Sequence, residues 1–159
     1  IGGSAQTGEQ SAGVNAITQK AETSVANLKL ANMPLLKHYK QVTIGSTAEE
    51  VRDKLGKAKI DDEDGFYYRF DDTELVQIRL DENKKVQLIA ITYTADHEGA
   101  PSFSDVLGAE PSTADTKPDG SMYKLVRYPT AGYWVAYSRS GGREALVSVT
   151  MQKLRQSVR

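Results

Sequence analysis

The apolar positions of this chain follow two periods. From residue 14 the spacing is helical: Val14, Ile17, Ala21, Val25 and Leu28 recur every three or four residues, after a candidate N-cap at Ser11 and before Pro34. This predicts an amphipathic helix over 14–33. A second helix is predicted by GSTAEEVRDKLG (45–56). Ser46 with Glu49, and Thr47 with Glu50, match a capping box; Ala48, Val51 and Leu55 share a face; Gly56 supplies the stop. After the turn DDEDG the period changes to two. FYYRF (66–70), ELVQIRL (74–80) and KVQLIAITY (85–93) read as strands, joined by turns short enough for antiparallel hairpins.

A weaker version of this order follows. Ser102 caps a short apolar stretch, Phe103, Val106 and Leu107, that stops at Gly108; strands are predicted at 121–128, 132–139 and 144–152. The expected fold is therefore α+β: two degenerate repeats, each a helix plus a three-stranded antiparallel meander, with helices packed on one sheet face behind the amphipathic N-terminal helix. The organisation is a flexible lead-in (1–13), a helix (14–33), a first repeat (42–94) and a second (100–152). The N-terminal helix is a candidate for self-association.

Alternation assigns faces. Phe66, Tyr68 and Phe70 share one side, with Tyr67 and Arg69 on the other; Val76, Ile78 and Leu80 point inward, with Leu75, Gln77 and Arg79 outward. In 132–139 the pattern fits either parity, and the size of its ring favours Trp134 inward. The candidate partner-binding residues are then Tyr67, Arg69, Gln77, Arg79, Tyr133 and Tyr137. Tyr and Arg offer large contact area with directional polar groups. The plainer account is that Tyr is a good strand former that half-buries its ring.

Composition narrows the function classes. The 159 residues carry a formal net charge of −1, with 39% hydrophobic and 26% charged residues and no cysteine. This suits one compact domain or two small units. It gives no global attraction to nucleic acid or an anionic membrane, and it excludes disulfides, thiolate ligands and cysteine nucleophiles. No apolar run approaches the ~20 residues of a membrane-spanning helix. The opening IGGSAQTGEQSAG, small and polar, is what is expected after a removed leader or anchor, or at a chain boundary.

No reactive constellation stands out. His38 and His97 lie apart, in connectors. Asp61, Asp62, Glu63 and Asp64 precede Gly65, but a calcium loop in that register would start at Ile60 and end at Asp71, neither of which suits its place. Nucleophile and phosphate-loop motifs are absent. Carboxylates cluster in turns and are not isolated on apolar strands. The expectation is no catalytic residue, no metal and no cofactor. The alternative, a small-ligand carrier or enzyme with a pocket between helices and sheet, draws attention to Tyr123, Tyr128 and His97.

One resemblance adds to this. The pattern G-x-[ST]-x-x-x-V-x-x-x-L-G, read at Gly45, Thr47, Val51, Leu55 and Gly56 and followed by a Tyr-rich strand and an alternating one, resembles the SmpA/OmlA (BamE-like) lipoprotein domains. It resembles equally the tandem repeats of the β-lactamase inhibitor protein. The likeness covers roughly 42–152; the second half keeps Val106, Leu107 and Gly108 but lacks the leading Gly. It implies a helical layer on an antiparallel sheet. It also implies a noncatalytic, periplasmic or secreted protein that binds another protein through its sheet, inhibitor-like or envelope-assembly-like. The lipoproteins carry an acylated cysteine near the mature N-terminus, and this sequence has none.

Overall fold

A computed structural model describes residues 33–155, of which Pro34 onward belong to one compact unit. The element order is α1 (Ala48–Leu55), β1 (Ile60–Asp61), β2 (Gly65–Phe70), β3 (Glu74–Leu80), β4 (Val86–Tyr93), α2 (Phe103–Leu107), β5 (Met122–Tyr128), β6 (Tyr133–Arg139) and β7 (Val147–Lys153).

Both helices are set by their ends. In α1 the Thr47 hydroxyl accepts the Glu50 N–H at 3.2 Å, and Gly56, at φ 80°, donates its N–H to the Arg52 carbonyl. Glu49 and Glu50 occupy the first turn and Arg52 and Lys54 the last, each complementing the helix dipole. In α2 Ser102 and Asp105 form a reciprocal capping box, and Gly108 adopts the left-handed conformation that ends the helix. Only Val51 and Leu55, and Phe103 and Val106, are buried from them.

The strands form one antiparallel sheet in the order β1-β2-β3-β4-β7-β6-β5. β4 and β7 pair across the middle, with Ile91 opposite Val149 and Ile89 opposite Met151. β7, the last strand in sequence, thus lies between β4 and β6. A register shift at Arg79/Leu80 sets Leu80 opposite Val86.

One sheet face is the core. Tyr68, Val76, Ile78, Val86, Ile89, Ile91, Val135, Val149 and Met151 are essentially inaccessible there; among the described residues outside the strands, only Val42 and Val51 are buried as deeply. At about 1.5–3 kcal/mol per large apolar side chain buried, the sheet and not the helices carries most of the stabilisation.

This corrects the expected architecture. The described residues form a single seven-stranded antiparallel sheet with two short helices of eight and five residues, not two helix-plus-meander repeats under a helical layer. The physical reason is twofold. Gly108 and the polar, Pro-containing stretch after it limit α2 to five residues, and the two sets of strands merge through β4 and β7. Part of the cover is instead irregular chain: Tyr39 and Val42, ahead of α1, join the core. The predicted lead-in (1–13) and nearly all of the predicted helix over 14–33, with its proposed self-association, lie outside the described residues.

Candidate functional site

The opposite sheet face is the candidate site. Strand register lays its side chains out in three rows. The first runs Arg79, Leu88, Gln152, Trp134, Arg127; the second Tyr67, Gln77, Ala90, Thr150, Ala136, Leu125; the third Arg69, Leu75, Thr92, Ser148, Ser138, Tyr123. The middle strands contribute small residues, Ala90, Thr92, Ser148, Thr150, Ala136 and Ser138. Larger ones flank them: Tyr67, Leu75 and Arg79 on one side, Trp134, Tyr123 and Arg127 on the other. Side-chain size thus leaves a shallow trough along the second and third rows, bounded by Leu88, Gln152 and Trp134 of the first. Among the described residues, both helices and the segment before α1 pack on the other face: Tyr68 donates its hydroxyl hydrogen to the Gly56 carbonyl, Tyr133 to the Leu36 carbonyl, and Phe103 meets Tyr137 edge to face.

The trough is apolar and positive. Tyr67, Leu75, Leu88, Leu125 and Trp134 are half-buried, and Tyr123 is 55% exposed. None of the seventeen positions in the three rows is Asp or Glu, and three are Arg. Arg69 is tied down: the turn at Asp71 and Asp72, both at positive φ, brings the Asp72 carboxylate to 2.7 Å from its Nε. Arg79 and Arg127 are exposed and make no ion pair among the described residues. They sit at opposite ends of one row, four strand spacings or about 19 Å apart.

Of the six residues expected to bind a partner, Tyr67, Arg69, Gln77 and Arg79 lie on this face. Tyr133 and Tyr137 do not: they are 7% and 2% exposed, in the core. The expected inward placement of Trp134 is likewise reversed. Pairing explains both. Val135 faces Met151 and Tyr137 faces Val149, so the parity of β7 sets that of β6. The two phenols also find backbone acceptors inside, Leu36 O at 2.8 Å and Pro101 O at 3.3 Å. Burial raises both hydroxyl pKa values. Sequence reasoning missed Trp134 and Arg127 as partners in the face.

It also missed a polar cluster beneath the sheet. Glu74, at the start of β3, is in phase with Val76, Ile78 and Leu80, and it is buried. This overturns the expectation that carboxylates keep to turns, and that phase was the available signal. The Tyr39 hydroxyl donates to Glu74 Oε2, His97 Nε2 lies 3.0 Å from Oε1, and Lys40 Nζ lies 3.7 Å from Oε2. The Tyr93 ring meets His97 edge-on. Burial first, then the carboxylate, raises the pKa of both Tyr39 and Tyr93, the latter to about 12. The cluster clamps the chain before α1 and the connector after β4 onto the sheet.

The residues singled out for a pocket do not converge. Tyr123 is exposed on the outer face, Tyr128 is buried at the far end of β5, and only His97 borders a cleft. Asp61 pairs with Arg52 through Nε at 2.8 Å and Nη2 at 2.9 Å, while Asp62 accepts the backbone N–H groups of Asp64 and Gly65. These acidic residues therefore shape a turn. No helix among the described residues is long and apolar enough to cross a membrane.

Comparison with protein-family models, curated proteins and solved structures finds no match for this chain.

Proposed function

We propose that the protein is a noncatalytic binding module whose outer sheet face receives an acidic surface of another protein. The observation that supports this reading is the trough itself: half-exposed Trp134, Tyr67 and three leucines, and three arginines with no carboxylate at the seventeen row positions, the acidic Asp62, Asp64 and Asp72 standing at its β2 edge, on a chain of net charge −1. The area is adequate. Six strands at about 4.8 Å and seven residues at about 3.3 Å give a projection of roughly 29 by 23 Å. That approaches the ~800 Å² per partner of a standard protein interface. Trp134 and Tyr67 supply contact area, and Arg79 and Arg127 orient the partner and speed its approach. An extracytoplasmic setting, inhibitor-like or envelope-assembly-like, is part of the proposal and rests on the resemblance at Gly45–Gly56.

Photo-crosslinking residues at Gln77 and Thr150, with one at Glu50 of α1 as control, test it in the producing cell. Protein adducts are expected at 77 and 150, not at 50, and the double variant Arg79→Glu/Arg127→Glu abolishes them. Adducts of equal strength at Glu50, none at 77 and 150, or none lost on charge reversal, refute the proposal.

A further inference from the structure

On the core side, a cleft of about 400 Å³ opens between α2, the connector after β4 and the hairpin loop between β6 and β7. This volume suits a small organic molecule. One wall is aromatic: Phe103 and Tyr137 meet edge to face, ring centroids 5.5 Å apart. Both rings are almost wholly buried and the Tyr137 hydroxyl is engaged by the Pro101 carbonyl, so they back the wall, and its accessible apolar lining is Ala100, Pro101, Met122 and Ala145. Two arginines line the same space, Arg139 at the end of β6 and Arg143 in the loop beyond it. Among the described residues neither has a carboxylate within ion-pairing distance. One acidic side chain, Glu110, lines the cleft with them.

His97 completes the lining. Its Nε2 is engaged by Glu74, which fixes the ring, while Nδ1 is the buried side-chain polar atom that lacks a partner among the described residues. Such an atom costs free energy unless it is satisfied.

We infer that this cleft binds a small monocarboxylate carried on an apolar or aromatic body. Charge and shape select that class. Arg139 and Arg143 against Glu110 leave one net positive charge, which matches a single carboxylate, whereas a phosphate dianion meets repulsion from Glu110. A planar guanidinium grips a carboxylate through two parallel hydrogen bonds. The accessible apolar lining, Ala100, Pro101, Met122 and Ala145, takes the body. The site lies on the face opposite the trough, so it stands independently of the protein-binding proposal.

The test is a backbone amide NMR titration of the isotope-labelled full chain with benzoate, benzamide and inorganic phosphate as separate probes. Benzoate is expected to give saturable shifts at Phe103, Tyr137 and Arg139 at low-millimolar concentration, and benzamide and phosphate to bind at least about tenfold more weakly. Arg139→Gln/Arg143→Gln, both at exposed positions, should weaken benzoate by about tenfold or more while its own spectrum remains dispersed. Arg79→Glu/Arg127→Glu should leave benzoate binding unchanged. Absence of saturable benzoate shifts, retention of them in the Arg139/Arg143 variant, or equal binding of benzamide or phosphate overturns the inference.

Discussion

Glu74→Ala probes the polar cluster most directly. The Glu74 side chain is 12% exposed and takes the Tyr39 hydroxyl on one oxygen and His97 Nε2 on the other. Removing it leaves both donors buried without a partner, and each such group costs about 1–3 kcal/mol. Against that, the variant no longer has to desolvate a carboxylate, which offsets part of the loss. Lys40 is nearly half exposed, so its release into water contributes little. The expected net cost is about 3 kcal/mol, a fall in Tm of roughly 10–15 °C for a unit of this size. Urea unfolding of wild type, Tyr39→Phe, Glu74→Ala and the double variant measures it. The double variant should cost at least ~1 kcal/mol less than the sum of the singles, because Tyr39→Phe removes one of the groups that Glu74→Ala would orphan. A loss under ~1 kcal/mol for Glu74→Ala, or additivity within ~0.5 kcal/mol, would refute the clamp.

Three further outcomes are expected. The Tyr93 hydroxyl has its pKa raised from 10.0 to about 12, burial being the first cause; its contribution to stability is complete below pH 10.0 and is lost as pH rises toward about 12. Tyr93→Phe should therefore flatten the alkaline decline in urea midpoint across that window, and an unchanged decline counts against it. At Gly65 an added Cβ would stand 1.9 Å from the Ile78 carbonyl oxygen. Gly65→Ala should thus cost about 1–3 kcal/mol or more in chemical denaturation, and a neutral result would mean that β2 and β3 do not approach so closely. Ser102→Ala removes the hydroxyl that caps α2, which is one half of its capping box, with an expected loss of ~1 kcal/mol. Local amide exchange in Phe103–Leu107 should rise with it, and unchanged protection would argue against that cap.

What was legible in the sequence depended on whether neighbouring residues decided it. The cap of α1 was visible because Thr47, Glu50 and Gly56 act within one turn of one another. The alternation of β3 was visible because its partners on both sides are strands with the same parity of burial. β6 was ambiguous because YWVAY is apolar at every position; its parity is set by its paired neighbour β7, a later stretch of chain, and not by its own composition. The Glu74 cluster was hidden for another reason. Tyr39, Glu74 and His97 are 35 and 23 residues apart along the chain, and only the fold brings them into contact. The overall class was misjudged because short helix signals were given the same weight as strands. A five-residue helix that buries two side chains cannot form a layer over seven strands. At the candidate face, Tyr67, Arg69, Gln77 and Arg79 were readable from β2 and β3, whereas Trp134 and Arg127 required the pairing of β5, β6 and β7.

The position of β7 has a consequence for how the protein is made. As a nascent chain emerges, β1 to β6 all leave the ribosome before the strand that belongs between β4 and β6. Until Val147–Lys153 arrives, Ile89 and Ile91 line an open edge with unpaired backbone, a ready template for a second chain. The finished sheet therefore closes from its centre, by insertion of its last strand, and ribosome stalling or proteolysis before residue 147 would leave an aggregation-prone product in place of a smaller folded one.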